Sequence, residues 1–424
     1  MNPLLHHVSG KILLVAITLS WLLPASVMAQ STLNSVLEEQ TLKVGLINDR
    51  HHYHLSGNGP TGFDYGYARG LADYLGVTLQ VVPFYSETKL YQALTHNTIH
   101  IAAPRFRPAE IKPELAYGPV LFTTTLVGIG PENDAAPCST TETRQRLVIP
   151  HLHEAVTAIT GSDWQKSEDT DSVTLINKMI DKAEFCTILP TTWRAALRGY
   201  FPSLSEQLLP GATLTKQWLV RAGDTALLST LYEFTHLSRT NGSLTLLKDE
   251  IHEPEKVLVK PDPRELVEQI NSRYPAIQQA AEGVQSTLDG TYIAAIDYLL
   301  NDWQTAQHEQ AKESDKPAIR LAQIGRKLDN LQAQLPARIQ GSDRTWFILA
   351  AYYLGTEHIE DARQLTAQTG ANPDLWVDVK QQLPRLETDY SATPAGFAHG
   401  AQAVTFVDQV RYVAETLTLL MKGT

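Results

Sequence analysis

The chain is 424 residues long, 43% hydrophobic and 19% charged, enough for two or three domains with cores of their own. Its formal charge of −11 excludes broad nucleic-acid binding, which needs positive surface to displace counterions, and gives no pull toward anionic membrane. Net charge does not say where charges sit, so local basic clefts are not excluded.

Residues 1–29 read as a signal peptide. Lys11 precedes the apolar run "ILLVAITLSWLL", the run is followed by "PASVMAQ", and Val27 and Ala29 hold the positions a signal peptidase reads. Cleavage is expected before Gln30. An uncleaved single-span anchor is the alternative, but the run is short for a membrane span. No cysteine stands at the cleavage point for lipid attachment, and no later segment is long and apolar enough to cross a bilayer. Export to an oxidising compartment permits a bridge between Cys138 and Cys186, which would stabilise by about 4 kcal/mol in the chain-entropy model. Two separate buried thiols are the alternative.

The mature chain opens with a strand, "TLKVGLI". "GPTGFDYGYARGLADYLGVTLQVVPF" then gives a turn, a helix ended by Gly76 and a second strand. "KLYQALTHNTIHIAA" adds a helix and a strand, and "RQRLVIP", "SVTLINKMIDKAEFCTILP" and "WRAALRGYF" continue the alternation, which is α/β. Two helices meeting at Asn241-Gly242 close this region, taken as residues 30–252. The Pro-punctuated, charged stretch at 253–263 reads as a linker. Residues 264–424 show only helical periodicity, including "YIAAIDYLLNDWQ", "IRLAQIGRKLDNLQAQL", "RTWFILAAYYLG" and "DLWVDVKQQLPRL". Residues 306–317 are polar and expected to face solvent.

Both halves resemble the membrane-bound lytic murein transglycosylase F family. Its members join a two-lobed module like the periplasmic solute-binding proteins (family 3) to an all-helical, lysozyme-like transglycosylase domain. The matching features are "TLKVGLI", "GFDYGYARGLADYLGV" and "YGPVLF" in the first half. In the second they are "DRTWFILAAYYLGTEHIEDARQLTAQTGANPDLWVDVKQQLPRL" and "AGFAHGAQAVTFVDQVR". The resemblance covers nearly the whole mature chain. It implies a periplasmic location with at most peripheral attachment to the outer membrane, and no cofactor.

Active members of the family carry a helix reading roughly AAIxYQESxW, whose glutamate is the sole catalytic carboxylate. That group protonates the glycosidic oxygen, then as its conjugate base takes the proton from the attacking 6-hydroxyl to close a 1,6-anhydro ring. The corresponding stretch here is "AAIDYLLNDW", and an ungapped match puts Leu300 at the glutamate. A hydrocarbon side chain cannot exchange a proton. Helical spacing of Ile293, Ile296, Leu300 and Trp303 places Leu300 on a buried stripe. Substitute acids are Asp297, about 4.5 Å back along the axis, and Glu282, which comes into register only if the close match is discarded. Asp302 projects away. The Ser-Pro-containing wall segment of active members has no counterpart.

Elsewhere in that cleft Tyr352 and Gly355 match the family, while Tyr353 replaces an asparagine, His399 an arginine, Gln402 a glutamate and Phe406 a tyrosine. In the first module, amino-acid-binding relatives grip a ligand carboxylate with an arginine whose place here is taken by Ile111. Arg105 and Arg107 lie just upstream. Pro190 stands at the usual second-lobe acid. A standard free amino acid is therefore not the expected ligand. Tyr53, Phe63, Asp64, Tyr65, Phe84, Tyr85, Phe122 and Trp193 are candidate cleft residues. His51, His52 and His54 lack a partner at metal-ligand spacing and read as surface histidines.

The expected function is non-catalytic: a periplasmic protein that binds peptidoglycan fragments, muropeptides or a protein of the cell-wall machinery. The competing readings are an active transglycosylase using Glu282 or Asp297, and a solute receptor for transport or sensing.

Overall fold

The computed structural model describes residues 31–134, 137–138, 144–161, 163–182, 184–254, 258, 262, 264, 266–268, 288, 290–301 and 317–422. The signal peptide, most of the 253–263 linker, Glu282, Asp302, Trp303 and nearly all of the polar 306–317 stretch lie outside the described residues.

The first module is built on one eight-stranded sheet in the order β4-β1-β5-β10-β6-β9-β7-β8. Strand β1 (Thr41–Ile47) pairs in parallel with β4 (Thr78–Phe84) and β5 (Ile101–Ala103). Between β1 and β4 lie a hairpin of β2 (His54–Ser56) and β3 (Gly59–Thr61), and helix α2 (Phe63–Leu75). A short helix, α1 (Thr32–Glu38), precedes them. Helix α2 stops where expected, because Gly76 takes the left-handed conformation (φ 69°) that a glycine adopts without strain. On its inner face Tyr67, Ala68 and Leu71 are buried at helical spacing against Leu42, Val44 and Trp218. The second lobe carries β7 (Gln145–Val148), β8 (Gln165–Lys166) and β9 (Phe185–Pro190), around a core that includes Ile149, Met179 and Ile188.

Two long antiparallel strands join the lobes, β6 (Leu115–Gly130) and β10 (Ser205–Arg221). Neither is marked in the sequence as a long strand. β10 holds Pro210-Gly211 in its middle, where the pairing breaks between Leu208 and Thr213 and Gly211 has φ 83°. β6 contains glycine, proline and three consecutive threonines that read as punctuation. The disulfide between Cys138 and Cys186 is formed, Cα–Cα 5.6 Å, tying the segment after β6 to β9. Helices α3 (Glu87–Thr95), α4 (Pro150–Thr160), α5 (Ser172–Lys182) and α6 (Thr191–Ala196) lie between these strands, and α7 (Thr225–Thr240) and α8 (Ser243–Glu250) meet at Asn241-Gly242 as the sequence indicates.

The second module is helical throughout its described residues. Its main helices are α9 (Gly290–Leu300), α10 (Pro317–Gln334), α11 (Gly341–Leu354), α12 (Thr356–Gln368) and α14 (Gly400–Lys422). Ile296, Leu328, Phe347, Ile348 and Phe406 belong to one shared core. The stretch "DLWVDVKQQLPRL", expected as one helix, forms a single turn, α13 (Trp376–Val379), and a 3-10 segment, Leu383–Glu387. Pro384 lacks the N–H that a continuous helix would need.

Candidate functional site

The loop leaving the carboxyl end of β1, "NDRHHYH", supplies much of the first module's cleft. Asp49 accepts from Arg105 Nε at 2.8 Å, from the backbone N–H groups of His51 and His52 at 3.0 Å each, and pairs with His52 Nδ1 at 2.8 Å. Burial pushes the Asp49 carboxyl up, but the charges of His52 and Arg105 hold it well below the usual range. The candidate carboxylate grip, Arg105, is thus held by a carboxylate of its own chain.

The candidate acid is engaged in the same way. Asp64 is fully buried and accepts from Lys216 Nζ at 2.6 Å and Trp218 Nε1 at 2.8 Å. Lys216 also donates to the Pro104 carbonyl at 2.7 Å, and burial draws its pKa down against the pull of Asp64. Arg105 and Asp64, the two candidates for holding a zwitterion, are thus both paired internally.

A cavity of about 240 Å³ opens beside them, with Phe63, Phe106, Phe122 and Trp193 in its wall. Trp193 stacks on His51 with ring centroids 4.3 Å apart and planes 9° from parallel. The histidines correct the sequence reading: His52 and His54 are buried, and burial holds His51 well below its ordinary pKa. His51 and His52 lie inside because the loop packs on Trp193, with Phe106 and Asp49 also against His52, whereas His54 is covered by Phe397 and His399 of the second module. Among the described residues no group of three or more His, Cys, Asp or Glu is placed to hold a metal.

Several candidates fall outside this cavity. Arg107 is exposed and lies over the Tyr117 ring at 4.3 Å. Tyr53 and Tyr65 pair with each other, centroids 6.2 Å apart, and line a separate surface pocket with Arg69. Phe84 and Ile111 pack against the core of the first lobe. Tyr85 turns to the other module, its ring 6.1 Å from Tyr390 and its hydroxyl 3.4 Å from the Thr393 carbonyl it donates to.

Arg50, unread in the sequence, is the junction of three bodies. It donates to Glu387 Oε2 of the second module at 2.7 Å, approaches Asp171 of the second lobe at 3.7 Å, and lies 3.1 Å from His399 Nδ1. Its guanidinium also covers the Phe397 ring at 5.0 Å and the Tyr200 ring at 5.5 Å. Asn48 Oδ1 accepts from the Phe397 backbone at 2.7 Å. The signal that could have found Asp49 and Arg50 is their place just beyond a parallel strand's carboxyl end, where open α/β sheets bind ligands.

The second cleft is smaller, about 200 Å³, and is lined by Leu300, Tyr352, Tyr353, Leu354 and His399 from one module and Leu55, Ser56 and Asn58 from the other. Leu300 departs from the buried stripe. Leu299 enters the core at 6% exposure, whereas Leu300, one step round the helix, is only partly buried on the cleft wall. Tyr352 and Tyr353 both stack on Phe406, and burial pushes the Tyr352 hydroxyl up to about 12. Gly355 ends α11 with φ 98°. Gln402 is buried on α14.

Asp297 is fully buried. Arg320 pairs with it through both Nε and Nη2, the latter at 2.9 Å, and Asn301 Nδ2 donates to it at 2.8 Å.

The β2–β3 hairpin covers the second cleft. The Gly57 N–H donates to the Tyr353 carbonyl at 3.0 Å, and His358 Nε2 lies 3.2 Å from the Leu55 carbonyl. Lys327 Nζ bonds Asn58 Oδ1 at 2.9 Å and the Tyr352 carbonyl at 3.1 Å, above the Tyr352 ring. Burial lowers its pKa to about 8.

A two-lobed α/β module with a charged inter-lobe cleft, docked on a helical module whose cleft it caps, is the class of protein these features define. No family model matches the chain. It is 27% identical over 430 residues to "Membrane-bound lytic murein transglycosylase F" of Alteromonas mediterranea, covering 92% of each chain. The same name is borne by relatives from a Shewanella species, 29% identical over 407 residues (89% of this chain, 85% of that one), and from Pseudomonas fluorescens, 29% over 443 residues (96% and 90%). Over nearly its full length the chain is thus similar to proteins that bear the name membrane-bound lytic murein transglycosylase F. Among solved structures it is similar to an ancestral cationic amino acid solute-binding protein, with TM-score 0.44 and 17% identity over 53% of this chain and 100% of that one. An amino acid transporter substrate-binding protein from Streptococcus pneumoniae bound to L-arginine gives TM-score 0.45 and 12% identity, over 53% and 98%.

Proposed function

We propose that this chain is a non-catalytic member of its family, an exported cell-wall-associated protein that binds peptidoglycan fragments or a protein partner instead of cleaving glycan. The observation that carries the reading is Leu300 on the wall of the Tyr352 cleft, at the position where the family pattern has its acid. A general acid has to reach the glycosidic oxygen within hydrogen-bond distance, directly or through one water. Asp297, the described carboxylate nearest in sequence, is sealed in the interior with Arg320 and Asn301. The leader-like first residues, the disulfide and the names of the relatives support a periplasmic location. The hairpin, as seated, narrows the way of a glycan to Tyr352.

The test is incubation of the purified full chain with peptidoglycan, with mass detection of 1,6-anhydro products. No anhydro product above a heat-inactivated control is expected. Robust product, abolished by Asp297→Asn or Glu282→Gln, would return the chain to the enzymes.

A further inference from the structure

The inter-lobe cavity differs in chemistry from a site for a charged ligand. A free amino acid would bring a carboxylate and an ammonium out of water, and a buried charge without a partner is strongly unfavourable. Arg105 already holds Asp49, and Asp64 already holds Lys216 and Trp218. Arg50 is engaged by Glu387. Glu250 and Glu253, which also line the cavity, are exposed. They repel a further anion, and in contact with water they give an ammonium little in return.

What is left to meet a ligand is largely aromatic. Phe63, Phe106, Phe122 and Trp193 line the space together with the imidazole rings of His51, His52, His54 and His399, and His51 is stacked on Trp193. Burial keeps the His51 ring neutral at ordinary pH, so it adds a flat polarisable surface instead of a charge. Thr61 and Thr192 supply hydroxyls. Apolar cavities of about 150 Å³ take up benzene, so about 240 Å³ accommodates two fused rings.

We propose that the inter-lobe cavity is a binding site for a small, uncharged heteroaromatic molecule of one or two fused rings, and that it rejects amino acids and other ions built on the same ring. Aromatic walls favour such a ligand through offset-stacked and edge contacts. The selectivity follows from the buried charges being paired already, so that an ionic ligand finds no buried counter-charge to exchange for water. This site is independent of whether the helical module cleaves glycan.

The test is a charge series on one ring, titrated calorimetrically into the full chain: indole, tryptamine, indole-3-acetate and tryptophan. Indole is expected to bind, and the cation, anion and zwitterion each at least tenfold more weakly. Ala196 also lines the cavity, so Ala196→Phe fills it from the wall and should abolish indole binding. Unchanged far-UV circular dichroism would show that this variant still folds. Tryptophan or either ion binding as tightly as indole overturns the proposal. So does failure of all four to bind, or indole binding that survives Ala196→Phe in a folded protein.

Discussion

The two clefts treat charge in opposite ways. The inter-lobe cleft keeps its ionic groups and satisfies them internally, Asp49 with Arg105 and Asp64 with Lys216. The helical cleft has a hydrocarbon, Leu300, on its wall, with Asp297 withdrawn into an ion pair beneath it. Each is also closed by the other module: Glu387, Phe397 and His399 reach the first, and the β2–β3 hairpin covers the second. His399 lines both. The cost of charge in a cleft can therefore be met either by pairing the charges or by replacing them, and this molecule does both.

The comparison breaks first if Asp297 is not structural. Asp297→Ala takes a buried partner from Arg320, which should cost about 3–5 kcal/mol and lower the urea midpoint of the second module accordingly. An unchanged midpoint would release Asp297 for the role of relocated acid.

How much of this is legible in the sequence follows from the range of each interaction. The first strand, the helix stop at Gly76 and the α7–α8 junction are set by neighbours along the chain, and the sequence shows them. Long-range pairing sets the rest. β10 depends on β6 across the register break at Pro210-Gly211, which locally looks like a turn. His52 and His54 look like surface residues until distant groups cover them, Phe106 and Trp193 of the first module for His52, and Phe397 and His399 of the second for His54. Arg105 is visible as a grip, but not that Asp49, 56 positions earlier, occupies it.

A pH titration sharpens the contrast at the seam between the clefts. His358 is buried, its Nε2 facing the Leu55 carbonyl, its Nδ1 without a hydrogen-bond partner among the described residues and Glu357 nearby; burial lowers its pKa to about 4. Burial first, and the Arg50 charge second, push His399 well below the ordinary value. His54 and the Arg50-bound Glu387 lie around it, and His358 adds to the repulsion. If parting the modules exposes both rings, they return toward about 6.5. A pKa depressed in the docked state makes docking fully stable above that value and weaker as pH falls toward 4, by up to about 1.4 kcal/mol per pH unit for each ring. Small-angle scattering from pH 7.5 to 4.5 should show the radius of gyration rising on acidification. The rise should be blunted in His358→Gln. Identical profiles for the two proteins would remove the seam histidines from the account.

The smallest expected effect tests the hairpin itself. A Cβ at Gly57 would run into the Tyr352 carbonyl and come within 2.7 Å of the Tyr353 carbonyl, and both are backbone atoms that cannot rotate aside. Gly57→Ala should therefore act as local overpacking, costing about 1–3 kcal/mol. The clash lies between modules, so the cost falls on docking and not on either core. Gly223→Ala is the control, because a Cβ there meets open space. The expected outcome is a larger radius of gyration for Gly57→Ala alone, with unchanged circular dichroism. Equal radii for the two variants would mean the hairpin does not seal the cleft. If Gly57→Ala does part the modules and still yields no anhydro product from peptidoglycan, covering of the cleft is separated from absence of the acid. That outcome would support the non-catalytic reading and remove the hairpin as its cause.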